Sequence, residues 1–347
     1  MTSRFSFENY EIFIVAELSA NHGRDIDVAI KTVKAAKAAG ADAIKVQTYT
    51  PESMTIDSQK KFFRIEGTIW NGQNLYSLYS KAAMPLAWHK KLKEVAESHG
   101  LIFFSTPFDI DTVDFLETLD VPLYKIASFE IVDVPLLKRI AQTGKPVIVS
   151  TGMATLQEID EAVSTLKNYG AGEIALLKCT SAYPAPPEEM NLRTIPHMIE
   201  AFNLPVGLSD HTKGIAVPVT AISLGASIIE KHFILSRDIA SPDASFSLEP
   251  DEFKEMVQAV RTAQKALGKI FYGPTHSQKE NVAFRRSLFA VEDIKSGEPF
   301  TEKNIRSIRP GFGLPPKYLS IILGRRARCD IERGTPITWE MVGDLRR

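Results

Sequence analysis

Two histidines open the chemical reading of this chain. His211 ends the apolar run in "VGLSDHTKG" (206–214), and His232 ends the one in "IIEKHF" (228–233). A histidine at a strand tip is a ready metal ligand or acid/base group. Two of them on neighbouring tips can share one divalent ion and leave its other positions to water and substrate. Other apolar runs also end in polar groups. Along the chain these are Glu17; Lys45 and Gln47; Ser105 and Thr106; Lys125 and Ser128; Ser150 and Thr151; Lys178, Thr180 and Ser181; Ser209 and Asp210; and Glu230. Strand alternation puts Lys45 with Gln47, and Glu230 with His232, on common faces. Lysine within an apolar strand is costly to bury without an anionic partner. Three such lysines and several hydroxyls converging on one mouth suit a phosphate or a carboxylate. Taken singly, each serine reads equally well as a turn or helix cap, so the set carries the argument. His22, in "SANHG", is expected to line the pocket as a base or donor. His89, His99, His197 and His276 are expected on helix surfaces or loops, and Cys179 as a small buried hydrophobe.

These side chains need strands to hold them. Strand-like runs occur at 12–17, 42–48, 102–108, 123–128, 146–151, 174–180, 205–210 and 228–233. Connectors such as "DVAIKTVKAAKAAG" and "LQEIDEAVSTLKNYG" repeat apolar residues at helical spacing and close on glycine. Strands alternating with helices imply parallel pairing, and near-continuous hydrophobicity implies burial on both faces. The pattern predicts a (β/α)₈ barrel over residues 1–268, with the polar strand ends facing one catalytic mouth. A doubly wound sheet is the alternative, but no glycine-rich turn follows the first strand. The long connection 51–85 is expected to help form the pocket.

After a linker at 269–284, a small β-rich domain is expected over 285–347. Its "DIKSGEPFTEKNI" (293–305) and "DIERGTPITWEMV" (330–342) are similar at an offset of 37 residues. This stretch carries 13 basic and 8 acidic residues, against a formal net charge of −1 for the 347-residue chain. That balance gives no reason to expect nucleic acid or an anionic membrane surface as a partner. No run is long enough to span a bilayer, and the N-terminus lacks the features of a signal peptide. Two cysteines, Cys179 and Cys329, give no disulfide framework, so a reducing cytoplasm is expected.

"AELSANH", "ADAIKVQTYTPESMT", "FSTPFD", "YKIASFEI", "STGMATLQEI", "LLKCTSAYPAP", "GLSDHTKGI", "IIEKHF" and "PDASFSLEPDEF" resemble, in order, the sialic-acid synthase family, and the tail resembles its antifreeze-like (SAF) domain. "SANH", "QTYTPESMT" and "SAYPAP" stand nearer its pseudaminate-forming branch than the neuraminate or legionaminate branches. The resemblance implies condensation of phosphoenolpyruvate with an N-acylated amino-sugar aldehyde and water, releasing phosphate; for that branch the sugar is 2,4-diacetamido-2,4,6-trideoxy-L-altrose. It implies a divalent ion, manganese or magnesium, on His211 and His232. It implies phosphoenolpyruvate contacts at Lys45, Thr106, Lys125, Ser128, Ser150, Ser181 and Ser209, and catalytic roles for Glu17, His22 and Glu230. Sugar contacts would fall on Gln47, Tyr183, Asp243 and Arg309. It further implies a homodimer in which each SAF domain covers the partner's barrel. The chain departs from the family pattern in having "NHGR" (21–24) after the first strand and "SPD" (241–243), which ends on Asp243. Rival readings are a related synthase acting on a phosphorylated sugar, a metal-dependent aldolase using pyruvate, and a non-catalytic carbohydrate- or ice-binding protein.

Overall fold

All eight apolar runs become strands of one closed parallel barrel: β1 (Phe13–Glu17), β2 (Ala43–Thr48), β3 (Ile102–Pro107), β4 (Tyr124–Ile126), β5 (Val147–Ser150), β6 (Ile174–Cys179), β7 (Val206–Asp210) and β8 (Ile228–His232). The computed structural model describes residues 5–67 and 69–344. Each strand pairs with the next in sequence order, and β8 pairs with β1 to close the ring. Helices follow the strands: Ile26–Ala38, Leu86–Ser98, Ile110–Thr118, Val134–Ala141, Leu156–Asn168, Thr194–Phe202, Ala216–Ser223 and Pro250–Leu267. Their starts are written locally. Thr155 and Glu158 form a reciprocal capping box for one, and Asp25 accepts the Asp27 N–H for another. Gly40 and Gly170, just beyond two helix ends, take the left-handed φ of +95°.

Alternation along each strand sorts the core into two layers. Ile14, Ala16, Ile44, Val46, Phe103, Tyr124 and Leu176 pack in the large cluster with the helices. Phe13, Val15, Ala43, Phe104, Leu123, Ile148, Ala175, Leu177 and Ile228 fill the lumen. Gly207 belongs to the inner set: a Cβ there would lie 2.7 Å from Leu177 Cδ2. Below, Tyr10 packs 4.8 Å from Phe13 and Phe7 lies 5.0 Å from Phe5, so aromatic rings close the amino end. The lumen is therefore apolar at its floor and can carry polar groups only at the carboxyl mouth.

Two compact units emerge, Met1–Gly268 and Lys269–Arg347. The stretch 269–284 falls within the second rather than hanging free. It forms 3₁₀ turns at His276–Gln278 and Glu280–Phe284, and the Gly311 N–H donates to Ala283 O at 2.8 Å. In this unit β9 (Ser287–Ala290) pairs antiparallel with β10 (Ile305–Ile308). The sequence repeat becomes a pseudo-two-fold. Ile294 and Ile331 exchange backbone hydrogen bonds of 2.8 Å, while Asp330 caps Ser296 N and Asp293 caps Arg333 N, each at 2.8 Å.

Phe13→Ala should destabilise the barrel by about 3–5 kcal/mol, because it opens a cavity that a closed lumen cannot collapse to fill. Chemical denaturation of the full chain, followed by far-UV circular dichroism, checks this; a loss under about 1 kcal/mol would show the lumen to be loosely packed.

Candidate active site

One residue higher on the inner face, the apolar floor gives way to a ring of polar side chains. Glu17, Lys45, Thr106, Lys125, Ser150, Cys179, Ser209 and Glu230 share the inward parity of the lumen residues, and all are buried. Register makes neighbours of them: Glu17 lies opposite Lys45 on one side and opposite His232 on the other, and Ser209 opposite Glu230. Lys45 Nζ lies 2.6 Å from Glu17 Oε2 and 3.8 Å from Glu230 Oε1, and it donates to Thr106 Oγ1 at 3.1 Å. Lys125 Nζ and Ser209 Oγ donate to Glu230 Oε1 at 3.1 and 3.0 Å. Two lysines thus meet two carboxylates away from water, which is the condition on which lysine can be buried.

The two carboxylates are not equivalent. Burial pushes the Glu17 carboxyl up to about 7, even with Lys45 beside it, and the charge of Glu230 adds to the rise. Burial acts upward on Glu230 as well. There the charges of Lys125 and Lys45 and the hydrogen bonds from Lys125 and Ser209 outweigh it, and the carboxyl stays well below the usual carboxylate range. One acid is poised to exchange a proton near neutrality while the other remains an anion that holds the lysines in place.

Beside the lysines lies a hydroxyl-lined cradle. Gly152 N–H donates to Ser128 Oγ at 3.1 Å, and a Cβ at Gly152 would collide with the Ser181 and Ser128 hydroxyls. Ser150 Oγ is buried with no hydrogen-bond partner among the described residues. Hydroxyls with protons to give and two ammonium groups make a site for an oxyanion.

His211 and His232 stand at the rim with ring centroids 5.3 Å apart. His211 Nδ1 donates to Thr180 O at 3.0 Å, which fixes the tautomer and leaves Nε2 free. His232 Nδ1 is buried without a hydrogen bond, and Asp243 Oδ2 approaches it at 3.6 Å. Burial above all, with the positive charges of Lys45, Lys231 and Lys125 nearby, holds His232 neutral, well below the ordinary histidine range. No group of three or more His, Cys, Asp or Glu side chains with metal-holding geometry occurs among the described residues. The side chains that could hold an ion here are the two imidazoles, with Asp243 beside His232. Tyr183 lies 4.4 Å from His211 and 5.2 Å from Phe246, and Trp70, from the long connection, lies 5.7 Å from Tyr183. The insertion at 51–85 therefore reaches the mouth, as expected. Gln47 is half-buried above Lys45 on the same inner face.

Several expected residues lie elsewhere. His22 is buried behind the wall, not in the pocket. Its Nε2 donates to Ala82 O at 3.2 Å, Nδ1 accepts the Arg24 N–H at 3.0 Å, and Trp88 packs edge-on at 5.6 Å. With both nitrogens engaged it pins the loop after β1 to the insertion. Arg309, expected at a partner's sugar site, is an exposed residue of the second unit, just after β10. Of the three strand lysines only Lys45 and Lys125 converge. Lys178 has the outward parity, and its Nζ donates to Cys179 O at 2.9 Å. Ser105, Thr151, Thr180 and Asp210 also turn away from the lumen. His89 is fully buried, not superficial, bonded at 2.8 Å to Thr48 Oγ1, which meets Ser105 Oγ at 2.6 Å. Cys179 is buried but faces the ring, 3.9 Å from His211 Nδ1. Glu130, Gly152 and Trp70 were not singled out from the sequence. Glu130 has Oε2 buried without a hydrogen bond, and burial pushes its carboxyl up to about 7. The signal for it was its place just past Lys125 and Ser128 in "YKIASFE"; for Gly152, the "STG" that ends β5.

A closed parallel barrel with its charged side chains gathered at the carboxyl mouth defines a (β/α)₈ enzyme. Matches to known proteins narrow the class: the NeuB family matches residues 32–272 and the SAF domain residues 285–343. The chain belongs to the NeuB family. The pseudaminic acid synthase of Campylobacter jejuni (strain 81-176) is 48% identical, over 93% of this chain and 94% of its own length. That of Helicobacter pylori is 46% identical over 94% and 96% respectively. A solved N-acetylneuraminic acid synthetase from Leptospira borgpetersenii, in complex with citrate, superposes with a TM-score of 0.70 at 34% identity, covering 79% of this chain and 91% of that one.

His22 should titrate far below an ordinary histidine, with a ring-proton midpoint at about pH 4, because burial disfavours its charged form. The unfolded chain then binds a proton that the folded chain refuses between the ordinary value of 6.5 and 4, so His22 makes stability fall as pH drops through that window. Histidine-labelled NMR measures the midpoint; a value near 6.5 would mean that the ring is solvated.

Proposed function

We propose that the chain condenses phosphoenolpyruvate with 2,4-diacetamido-2,4,6-trideoxy-L-altrose and water, giving pseudaminic acid and phosphate. The observation that carries the reading is the pair of buried lysines, Lys45 and Lys125, beside an oxyanion cradle and beneath two rim histidines. The nearly full-length likeness to two pseudaminic acid synthases selects the sugar.

Lys45 and Lys125 supply charge to the phosphate and carboxylate of phosphoenolpyruvate, and Ser128, Ser150, Ser181 and Thr106 supply directed donors, joined by Ser209 when its hydroxyl turns from Glu230 to the substrate. With its carboxyl raised to about 7, Glu17 is only partly ionised near neutrality, so the two lysines keep charge for an anion while the ionised form of Glu17 can still accept a proton. Holding the enol carbon against the aldehyde can contribute about 7–11 kcal/mol in ideal cases. A divalent ion on His211 and His232, manganese or magnesium, would polarise the aldehyde oxygen. Attack by the enol carbon on the aldehyde carbon forms the new C–C bond, sends the carbonyl π pair to the aldehyde oxygen, which takes a proton from solvent to become a hydroxyl, and leaves positive charge at the former enol carbon. Water adds there and Glu17 takes its proton; Glu230 keeps its charge and steadies the lysines. The tetrahedral adduct then expels phosphate by C–O cleavage, leaving the keto acid. Tyr183 and Asp243 flank the histidines, and together with Gln47 they would contact the sugar.

The reading includes a homodimer in which each SAF domain covers the partner's barrel and brings Arg309 to its sugar. Exposed Phe62, Phe129 and Met153 on the barrel unit, and Ile270 and Tyr272 on the second, are suited to such burial. It also places the protein in the cytoplasm. Both cysteines are free, and no described helix is long and apolar enough to cross a membrane.

Incubation with phosphoenolpyruvate and a panel of amino sugars tests the proposal. Mass and NMR should identify pseudaminic acid, with ¹⁸O from water in the keto acid and none in phosphate. Label in phosphate would mean P–O cleavage, and turnover of N-acetylmannosamine instead would reassign the sugar. A chelator should abolish phosphate release and added Mn²⁺ restore it; full activity in excess chelator removes the ion from the mechanism. Separately, Lys125→Ala should lower kcat/KM by about 100-fold or more, since it deletes a buried charge contact and strands Glu230, whereas Lys178→Ala should cost under about 3-fold. Equal losses would contradict the inward and outward assignment.

A further inference from the structure

We propose that the buried Asp210–Lys231 ion pair is the positioning device that sets His211 and His232 relative to one another, an inference that rests on the reading of those histidines as the ion-binding pair. Asp210 and Lys231 are register partners on β7 and β8, and each immediately precedes a rim histidine. Alternation turns each of them away from the lumen, so the pair joins the outer side of the two strand tips whose inner side carries the imidazoles. Both side chains are fully buried, with Nζ 2.5 Å from Oδ2. The contacts converge on Thr212, the residue after His211. Asp210 Oδ1 accepts the Thr212 N–H at 2.9 Å and its hydroxyl at 2.8 Å, and Lys231 Nζ donates to the Thr212 carbonyl. The His211 backbone is thereby clamped between two anchored residues, while its ring is held from the other side by Thr180 O.

Stability alone does not call for this arrangement, because a buried ion pair is often replaced by apolar residues without loss. An apolar pair cannot hold the N–H, hydroxyl and carbonyl of one turn residue at once. What the ion pair does that packing cannot is fix the turn that aims His211 at His232, whose rings lie 5.3 Å apart.

The test uses the full-length protein and the double variant Asp210→Leu/Lys231→Met, with Asp210→Asn and Thr212→Val as milder changes. Unfolding midpoint, Mn²⁺ affinity by calorimetry, kcat and the KM for phosphoenolpyruvate are measured on each. The double variant should keep a midpoint close to that of the parent while Mn²⁺ affinity and kcat fall by about 10–100-fold, as for other residues that orient a ligand, with KM little changed. Parental Mn²⁺ affinity and kcat in a folded double variant overturn the proposal. If that variant does not fold, Asp210→Asn and Thr212→Val decide: weaker Mn²⁺ binding in both supports it, and parental binding in both overturns it. Should the parent itself bind no Mn²⁺, the ion-binding reading fails, and the ion-free imidazole NMR signals of His211 and His232 decide separately. Their displacement in the variants supports positioning, and unmoved signals exclude it.

Discussion

The interaction on which the site depends is an ion pair across a barrel lumen. Glu230 belongs to β8 and Lys125 to β4, strands on opposite sides of an eight-membered ring, yet their charged atoms are 3.1 Å apart. Neither charge could be buried alone, since desolvation would neutralise it or open the structure. Lys45 and Glu17 complete the set from β2 and β1. The four charges are therefore affordable only once all eight strands have closed. Closure and the construction of the site are the same event.

The apolar floor of the lumen follows from the same constraint. Phe13, Phe104, Ile148 and Leu177 exclude water beneath the ring, so each charge above them is weakly screened and answers mainly to its neighbours. Burial pushes Glu17, with one close lysine, up to about 7, while around Glu230 two lysines and a serine outweigh burial and keep the carboxylate ionised. A single ring of side chains thus supplies both a proton-exchanging acid and a permanent anion, without any difference in residue type.

Strand ends in this barrel serve two faces. Inward residues build the pocket. Outward polar residues, which a linear list of strand ends cannot separate from them, build buried supports: Asp210 with Lys231 and Thr212, and Ser105 with Thr48 and His89. Their hydrogen bonds are directed at turns and at neighbouring strand ends, so they fix where the inner side chains begin.

Element order, barrel class, the repeat in the second unit and the charged strand ends are all legible in the amino-acid sequence. Each of these is a local property: hydrophobic period, capping residue, glycine position, or similarity at a fixed offset. All eight strands fall within the apolar runs that announce them, and the 37-residue offset maps residue by residue onto the pseudo-two-fold. Which polar residues converge emerges only on folding. A shift of one position reverses the facing, so Lys178 points away while Cys179 points in. Folding also decides that His22 spends both ring nitrogens on the loops behind the wall, that Gly152 is required by the approach of Ser128 and Ser181, and that Trp70 reaches Tyr183 from a distant insertion. Burial and the charges across the lumen separate Glu17 from Glu230, and those distances exist only after the chain has folded.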